Sequence, residues 1–217
     1  MADLIVPSRI HGKIIREYTP FKITQREEIM VEDVNNRGGQ KIKAMRLSGL
    51  VQKMDTPNEN MRVYEESVMT EAVGALQPAI KGRTVLGELD HPDDAKIHTE
   101  NACILLTKLF CEGKNVYGQF EVLEGMPKGQ MLKALINQGV TVSISSRGVG
   151  DMESCFNEGL EYNRVLPGFR FVTFDAVNEP SVQGTALSIT ESRKAALAES
   201  RRQLEKEILK ATREILG

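Results

Sequence analysis

The sequence predicts an α+β fold: mostly antiparallel strands, as a sheet or barrel, with at least two helices. Two observations lead there. Short β-like runs are joined by Gly, Asn and Pro turn signals in hairpin fashion, and two windows carry apolar residues at helical spacing. A third separates off the end of the chain, where residues 189–217 read as one amphipathic helix. The 217 residues, 41% hydrophobic and 27% charged, are enough for one soluble domain with a sizeable core, and no repeat of solenoid period occurs.

Taken in order, HGKIIREY and FKITQREEIMVEDV precede the turn signal NNRGG at 35–39. They read as a hairpin or a flexible leading segment, and residues 1–40 are set apart as an N-terminal segment without assigned structure. KAMRLSGLVQKM (43–54) is a strand, and DTPNENMR after it a loop. From Tyr64 to Ile80, Val68, Met69, Ala72, Val73 and Leu76 recur with helical spacing; Gly74 weakens that helix and Pro78 is expected to end it. TVLGELDHP (84–92) is a short strand breaking into an acidic loop, and 102–111 with 115–123 form a hairpin around EGKN. In MPKGQMLKALINQG, Pro127 suits a helix start and Gly139 its end, with apolar Met131, Leu132, Leu135 and Ile136 between them. VSISSRGVG (142–150) opens as a strand, and RVLPGFRFVTFDAVNEPS (164–181) supplies another before a turn at Glu179-Pro180. Residues 41–188 thus form the main domain. The tail from Thr190 to Leu216 lacks Gly and Pro; Leu197, Leu204, Ala211, Ile208 and Ile215 make an a/d-type stripe that Arg201 interrupts. Such a helix either packs on the domain or serves docking or oligomerisation.

Charge and cysteine usage narrow the function. Lys plus Arg number 28 against 30 Asp plus Glu, so a net charge of −2 offers no general attraction to nucleic acid or to an anionic membrane. No apolar run is long enough to span a bilayer and the start lacks a secretion-signal core, which predicts a cytosolic protein. Cys103, Cys111 and Cys155 are odd in number and form no CxxC pair, arguing against a disulfide framework or a thiolate zinc site.

Three places could carry chemistry. In VSISSRGVG, strand alternation sets Val140, Val142 and Ile144 on one face and Thr141, Ser143 and Ser145 on the other. Gly148 and Gly150 then allow a sharp turn or a close approach to a bound group, an arrangement that suits an exposed Ser145 beside free backbone N–H groups and equally an ordinary strand end. His91, in GELDHPDD, is either a general base for a serine hydroxyl, a surface loop residue, or part of a metal site with carboxylates among Glu88, Asp90, Asp93 and Asp94; the pattern matches neither an EF-hand loop nor HExxH. Asp175 in FVTFDAV shares its strand side with Phe169 and Phe171 by alternation, so its carboxylate needs a partner, either a histidine or a structural arginine. Serine, histidine and aspartate are the parts of a nucleophilic triad.

GELDHP, SSRGVG and FDAVNEPS, in this order, resemble the motifs of the prohead core proteases of contractile-tailed bacteriophages, which are related in fold to herpesvirus assemblins. NENMRVY (58–64) and YGQFEVLEG resemble further segments of that family, and the likeness covers roughly residues 45–185, with a poor match over the first forty. The resemblance implies a closed or nearly closed antiparallel β-barrel flanked by helices. It implies a serine endopeptidase with Ser145 as nucleophile, His91 as base and Asp175 as third member, and with Arg147 and Gly148 as oxyanion or support residues. No cofactor and no metal are implied. The implied substrates are scaffold and major capsid precursor proteins, cut inside the immature prohead in the host cytoplasm after glutamate in Leu-x-Glu or Ile-x-Glu contexts. Neither nucleic acid nor membrane is an expected partner, whereas a homo-oligomer is compatible, since related assemblins are activated by association.

That preference draws attention to LAES at 197–200, where Glu199-Ser200 is an expected self-cleavage site that would release residues 200–217. LGE at 86–88 has the same pattern and is expected to be protected by burial. Two rivals stand beside this reading: a noncatalytic capsid-assembly protein of the same fold joined to a scaffold through its tail helix, and a metal-dependent hydrolase centred on Glu88, Asp90, His91 and Asp94.

Overall fold

The structure, a computed structural model, describes residues 9–19, 23–32, 41–92, 94–157 and 159–178. The Glu179-Pro180 turn, the tail helix and Glu199-Ser200 lie outside them. Among these residues ten strands and two α-helices follow in the order β1 (Arg9–Thr19), β2 (Ile23–Glu32), β3 (Lys41–Lys53), β4 (Arg62–Tyr64), α1 (Glu66–Lys81), β5 (Leu86–Glu88), β6 (Ala102–Glu112), β7 (Asn115–Val122), α2 (Pro127–Asn137), β8 (Val142–Asn157), β9 (Leu160–Val165) and β10 (Arg170–Asn178). They build two five-stranded sheets. One runs β1-β8-β9-β4 with β10 also paired to β8; the other runs β2-β3-β7-β6-β5. All pairings are antiparallel except β4 with β9.

The first two strands do not pair with one another. β2 pairs with β3 across the NNRGG region, while β1 crosses to the other sheet and lies along β8. β6 and β7 form the expected hairpin, closed at Glu112–Asn115 with Gly113 at φ 53, a left-handed turn conformation glycine adopts without strain. In α1, Val68, Met69, Ala72 and Val73 are buried as the spacing requires, but Pro78 does not end the helix, which continues to Lys81. Proline in the last turn forfeits only its own N–H bond. The N–H groups of Gly82, Arg83 and Thr84 close the end on the carbonyls of Pro78, Ile80 and Ala79. α2 begins with proline in its first turn and buries Leu132 and Ile136, leaving Met131 half-exposed. One hydrophobic cluster draws on both sheets and both helices, including Ile15, Met45, Leu47, Met69, Ile104, Phe120, Leu132, Ile144 and Phe174.

Two expectations are corrected here. The strand that starts at Val142 does not stop at the glycines: β8 is 16 residues long and passes through Ser145, Ser146, Arg147, Gly148 and Gly150 with neighbours on both sides. The glycines serve a close approach rather than a turn. A Cβ at Gly148 would lie 2.4 Å from the Phe169 ring, so only glycine lets that ring lie against the strand. The barrel, too, is not closed among the described residues. β5 is three residues long, and between it and β10 the ladder is reduced to a single parallel bridge, Leu89 with Ala176. Asp90 then takes φ 67 and turns the chain away. The approach is nonetheless tight: a Cβ on Gly87 would come within 1.9 Å of the Phe174 carbonyl oxygen. The seam between the sheets, where β5 ends beside β10, is where the GELDHP loop begins.

Candidate active site

Three segments distant in sequence meet at this seam. β8 presents Ser145, β10 presents Asp175 as its register partner, and the loop after β5 carries His91 over both. The loop's position is set by hydrogen bonds at each end. Asp90 N–H donates to the Ala176 carbonyl (2.9 Å), Arg16 Nη2 donates to the Pro92 carbonyl (2.8 Å), and Arg147 Nη1 donates to the carbonyls of Asp94 (3.0 Å) and Lys96 (2.9 Å). A loop rich in acidic residues is thus pinned through its backbone by two guanidinium groups.

Within this frame His91 Nε2 lies 2.6 Å from Ser145 Oγ, and His91 Nδ1 lies 2.9 Å from Asp175 Oδ2. Asp175 and Ser145 are fully buried, whereas the imidazole is about one-fifth exposed. A buried carboxylate must be compensated. Asp175 Oδ1 accepts the Glu88 N–H (3.0 Å) and Arg147 Nη2–H (3.2 Å), and Arg147 Nε stands 3.1 Å from Oδ2 in ion-pair contact. Arg147, itself buried, also donates to Glu88 Oε1 (3.1 Å), which in turn accepts the His98 N–H (2.9 Å). One guanidinium therefore serves two buried carboxylates.

The three residues singled out in the sequence as serine, base and acid are therefore brought together. Alternation along β8 held for Ser145, which shares its face with Arg147, but it failed on β10. A register shift between Phe171 and Thr173 rotates the strand, so Phe171 sits beside Phe174 (ring centroids 5.0 Å apart) while Asp175 faces the histidine loop. Arg147 lies beneath the aspartate, with its donors spent on Asp175, Glu88 and the loop carbonyls. Gly148 is three residues along an extended strand from Ser145, about 10 Å at the usual rise, out of reach of an oxygen at Oγ. The tail residues Glu199 and Ser200 are outside the described residues. Glu88 of the LGE sequence is buried, at 1% exposure, and its Oε1 accepts from Arg147 and from the His98 N–H.

The metal arrangement around Glu88, Asp90, His91 and Asp94 does not form: among the described residues no group of three or more His, Cys, Asp or Glu side chains could hold a metal ion. Glu88 is committed to Arg147 and to His98, whose Nδ1 is 3.5 Å from Oε2.

Sequence reasoning missed Glu17. Its backbone carbonyl accepts a hydrogen bond from Ser145 Oγ (2.6 Å), and its carboxylate is buried with Asn58, Asn60, Arg62 and Tyr64. The signal for it lay in NENMRVY, where donors recur at every second position. The serine hydroxyl has one hydrogen and two acceptors within reach, the Glu17 carbonyl and, when Nδ1 carries its proton, His91 Nε2.

Comparison with known proteins places this arrangement in context. The family described as "Prohead core protein serine protease" matches residues 16–194, reaching further towards the N-terminus than the motifs alone. The chain is 34% identical over 155 residues to the prohead core protein protease of Enterobacteria phage T4, covering 69% of this chain and 72% of that protein. The solved structure of the bacteriophage T4 capsid assembly protease superimposes with a TM-score of 0.68 at 25% identity, covering 78% of this chain and all of that one.

Proposed function

The chain belongs to the prohead core protein serine protease family, and from that premise we propose that its protease chemistry runs through Ser145, His91 and Asp175. The observation carrying this reading is the continuous contact from Ser145 Oγ to His91 Nε2 (2.6 Å) and from Nδ1 to Asp175 (2.9 Å). Ser145 Oγ attacks the scissile carbonyl carbon while His91 Nε2 takes its proton. The tetrahedral adduct collapses as the imidazolium returns that proton to the leaving amine, and water then attacks the acyl-enzyme by the same route. Asp175 accepts the Nδ1–H throughout and stabilises the imidazolium. Arg147 has the supporting role, fixing Asp175 from below and the His91 loop from the side, and Gly148 gives Phe169 its place against β8.

Substrates in this reading are scaffold and capsid precursors of the prohead, cut after glutamate in Leu-x-Glu or Ile-x-Glu contexts. Glu199-Ser200 is a site of self-cleavage. The test is to incubate the full-length chain with scaffold precursor and map the new termini by mass spectrometry. The expected result is cuts after glutamate, together with loss of residues 200–217 from the enzyme, both absent in Ser145→Ala. Cuts elsewhere would refute the preference, and an intact tail beside a processed scaffold would refute self-cleavage.

A further inference from the structure

An arginine buried against an aspartate favours a fork, two parallel N–H bonds to the two carboxylate oxygens. Beneath the active site that fork is left half made. Arg147 Nη2 donates to Asp175 Oδ1 (3.2 Å), but Nε, although 3.1 Å from Oδ2, is not aimed at it and makes no hydrogen bond. Oδ2 is left to His91 Nδ1 (2.9 Å). Something must hold the guanidinium off, because both groups are fully buried and the complete fork would be the stronger contact. Nη1 is tied to the carbonyls of Asp94 (3.0 Å) and Lys96 (2.9 Å), and Nη2 is shared with Glu88 Oε1 (3.1 Å). Of these three acceptors only Glu88 carries a charge.

Glu88 acts on Asp175 in two ways. Its backbone N–H donates to Asp175 Oδ1 (3.0 Å), and its carboxylate draws one prong of Arg147 aside. Oδ1 thus receives both structural donors, while Oδ2 keeps its lone pair for the imidazole. The Glu88 side chain is itself fixed: it is buried, Oε1 also accepts the His98 N–H (2.9 Å), and His98 Nδ1 stands 3.5 Å from Oε2. A buried ion pair is often matched in stability by apolar residues of similar volume, so stability alone does not account for a second carboxylate here. We infer that Glu88 is a positioning residue: by holding Arg147 away from Asp175 Oδ2 it reserves that oxygen for the Nδ1–H of His91, and so sets how firmly Asp175 orients and supports the base. The inference rests on the reading of His91 and Asp175 as base and acid of the triad. Without the Glu88 charge the guanidinium turns its Nε–H onto Oδ2 and competes with the imidazole for that oxygen. The imidazolium formed when Ser145 gives up its proton is then less well stabilised. The hydrogen bonds of Glu88 run to Asp175, Arg147 and His98, so its effect on the reaction passes through Arg147 and Asp175.

The test compares the full-length chain with Glu88→Gln, whose amide oxygen can still accept from Arg147 and His98 while its NH₂ faces His98 Nδ1. Cooperative thermal unfolding checks the fold. A proton on an imidazole nitrogen bonded to a carboxylate gives a far-downfield proton NMR signal, further downfield the stronger the bond; here it is identified by its loss in His91→Asn. Glu88→Gln is expected to move that signal upfield and to lower kcat on scaffold precursor about tenfold at unchanged KM, the scale of trading one charge-assisted hydrogen bond for a neutral one. Glu88→Asp keeps the charge but withdraws it by one methylene. It should show both changes more weakly, and it carries the test alone if the glutamine variant does not fold. A merely structural role would lower Tm and leave the signal of the folded protein where it was. A parental signal and a parental kcat in a folded variant would overturn the inference. Failure of the triad reading shows elsewhere, as cutting that survives Ser145→Ala. The signal decides the Glu88 claim in that case too, because it reads the bond between His91 and Asp175 without turnover.

Discussion

Replacing Arg147 by lysine keeps a positive charge but loses the planar fork. The native guanidinium makes four hydrogen bonds, to the carbonyls of Asp94 and Lys96 and to the carboxylates of Glu88 and Asp175, with Nε in ion-pair contact besides. An ammonium has three donors on a single atom and cannot span acceptors lying on opposite sides. If two buried acceptors go unpaired at about 1–3 kcal/mol each, Arg147→Lys costs about 2–6 kcal/mol. For a chain of this size that lowers Tm by roughly 5–20 °C. Arg147→Met removes the charge as well and strands two buried carboxylates. The further cost of about 3–5 kcal/mol brings the total to the order of the protein's whole stability, so this variant should not fold. Thermal unfolding by circular dichroism reads both, and protease activity measured below the new Tm of the lysine variant should fall because Asp175 loses its anchor. If both variants unfold within about 2 °C of the parent, the claim that Arg147 holds the site together is wrong.

Other outcomes follow from the same geometry. Asp175→Asn presents an NH₂ to His91 and reverses the favoured tautomer, so kcat should fall by about 10³–10⁴ in protein that still folds; a drop below tenfold would deny Asp175 its role. Gly87→Ala forces a methyl to 1.9 Å from the Phe174 carbonyl oxygen, so the seam between β5 and β10 must open, and both Tm and activity should fall together. Native thermal stability in that variant would show the seam to be more plastic than described. The Cys103 thiol, pushed up to about 12 mainly by burial, should resist iodoacetamide at pH 8 until the protein is unfolded, as counted by mass.

Local features of the chain were legible where local physics decides them. Apolar spacing gave α1 and α2, the EGKN turn gave the β6–β7 hairpin, and alternation in VSISS set Ser145 on the face that meets His91. What escaped depends on pairings between distant segments. Gly148 and Gly150 read as a strand end because glycine signals a turn as readily as a close approach; only the arrival of Phe169 across the strand distinguishes the two. The alternation that grouped Asp175 with Phe171 was undone by a bulge that leaves no mark in composition. Glu17 was invisible for the same reason. Its importance follows from β1 lying along β8, a pairing across more than a hundred residues, although the Asn-x-Asn-x-Arg-x-Tyr alternation was there to be read as a row of donors awaiting an acceptor.

All of the proposed chemistry depends on Ser145 being the nucleophile. Intact mass followed over time for the full-length chain and its Ser145→Ala variant, each mixed with scaffold precursor, tests it most directly. The parent should shorten both the scaffold and itself while every mass in the Ser145→Ala mixture stays constant. Equal shortening in the two mixtures would contradict it.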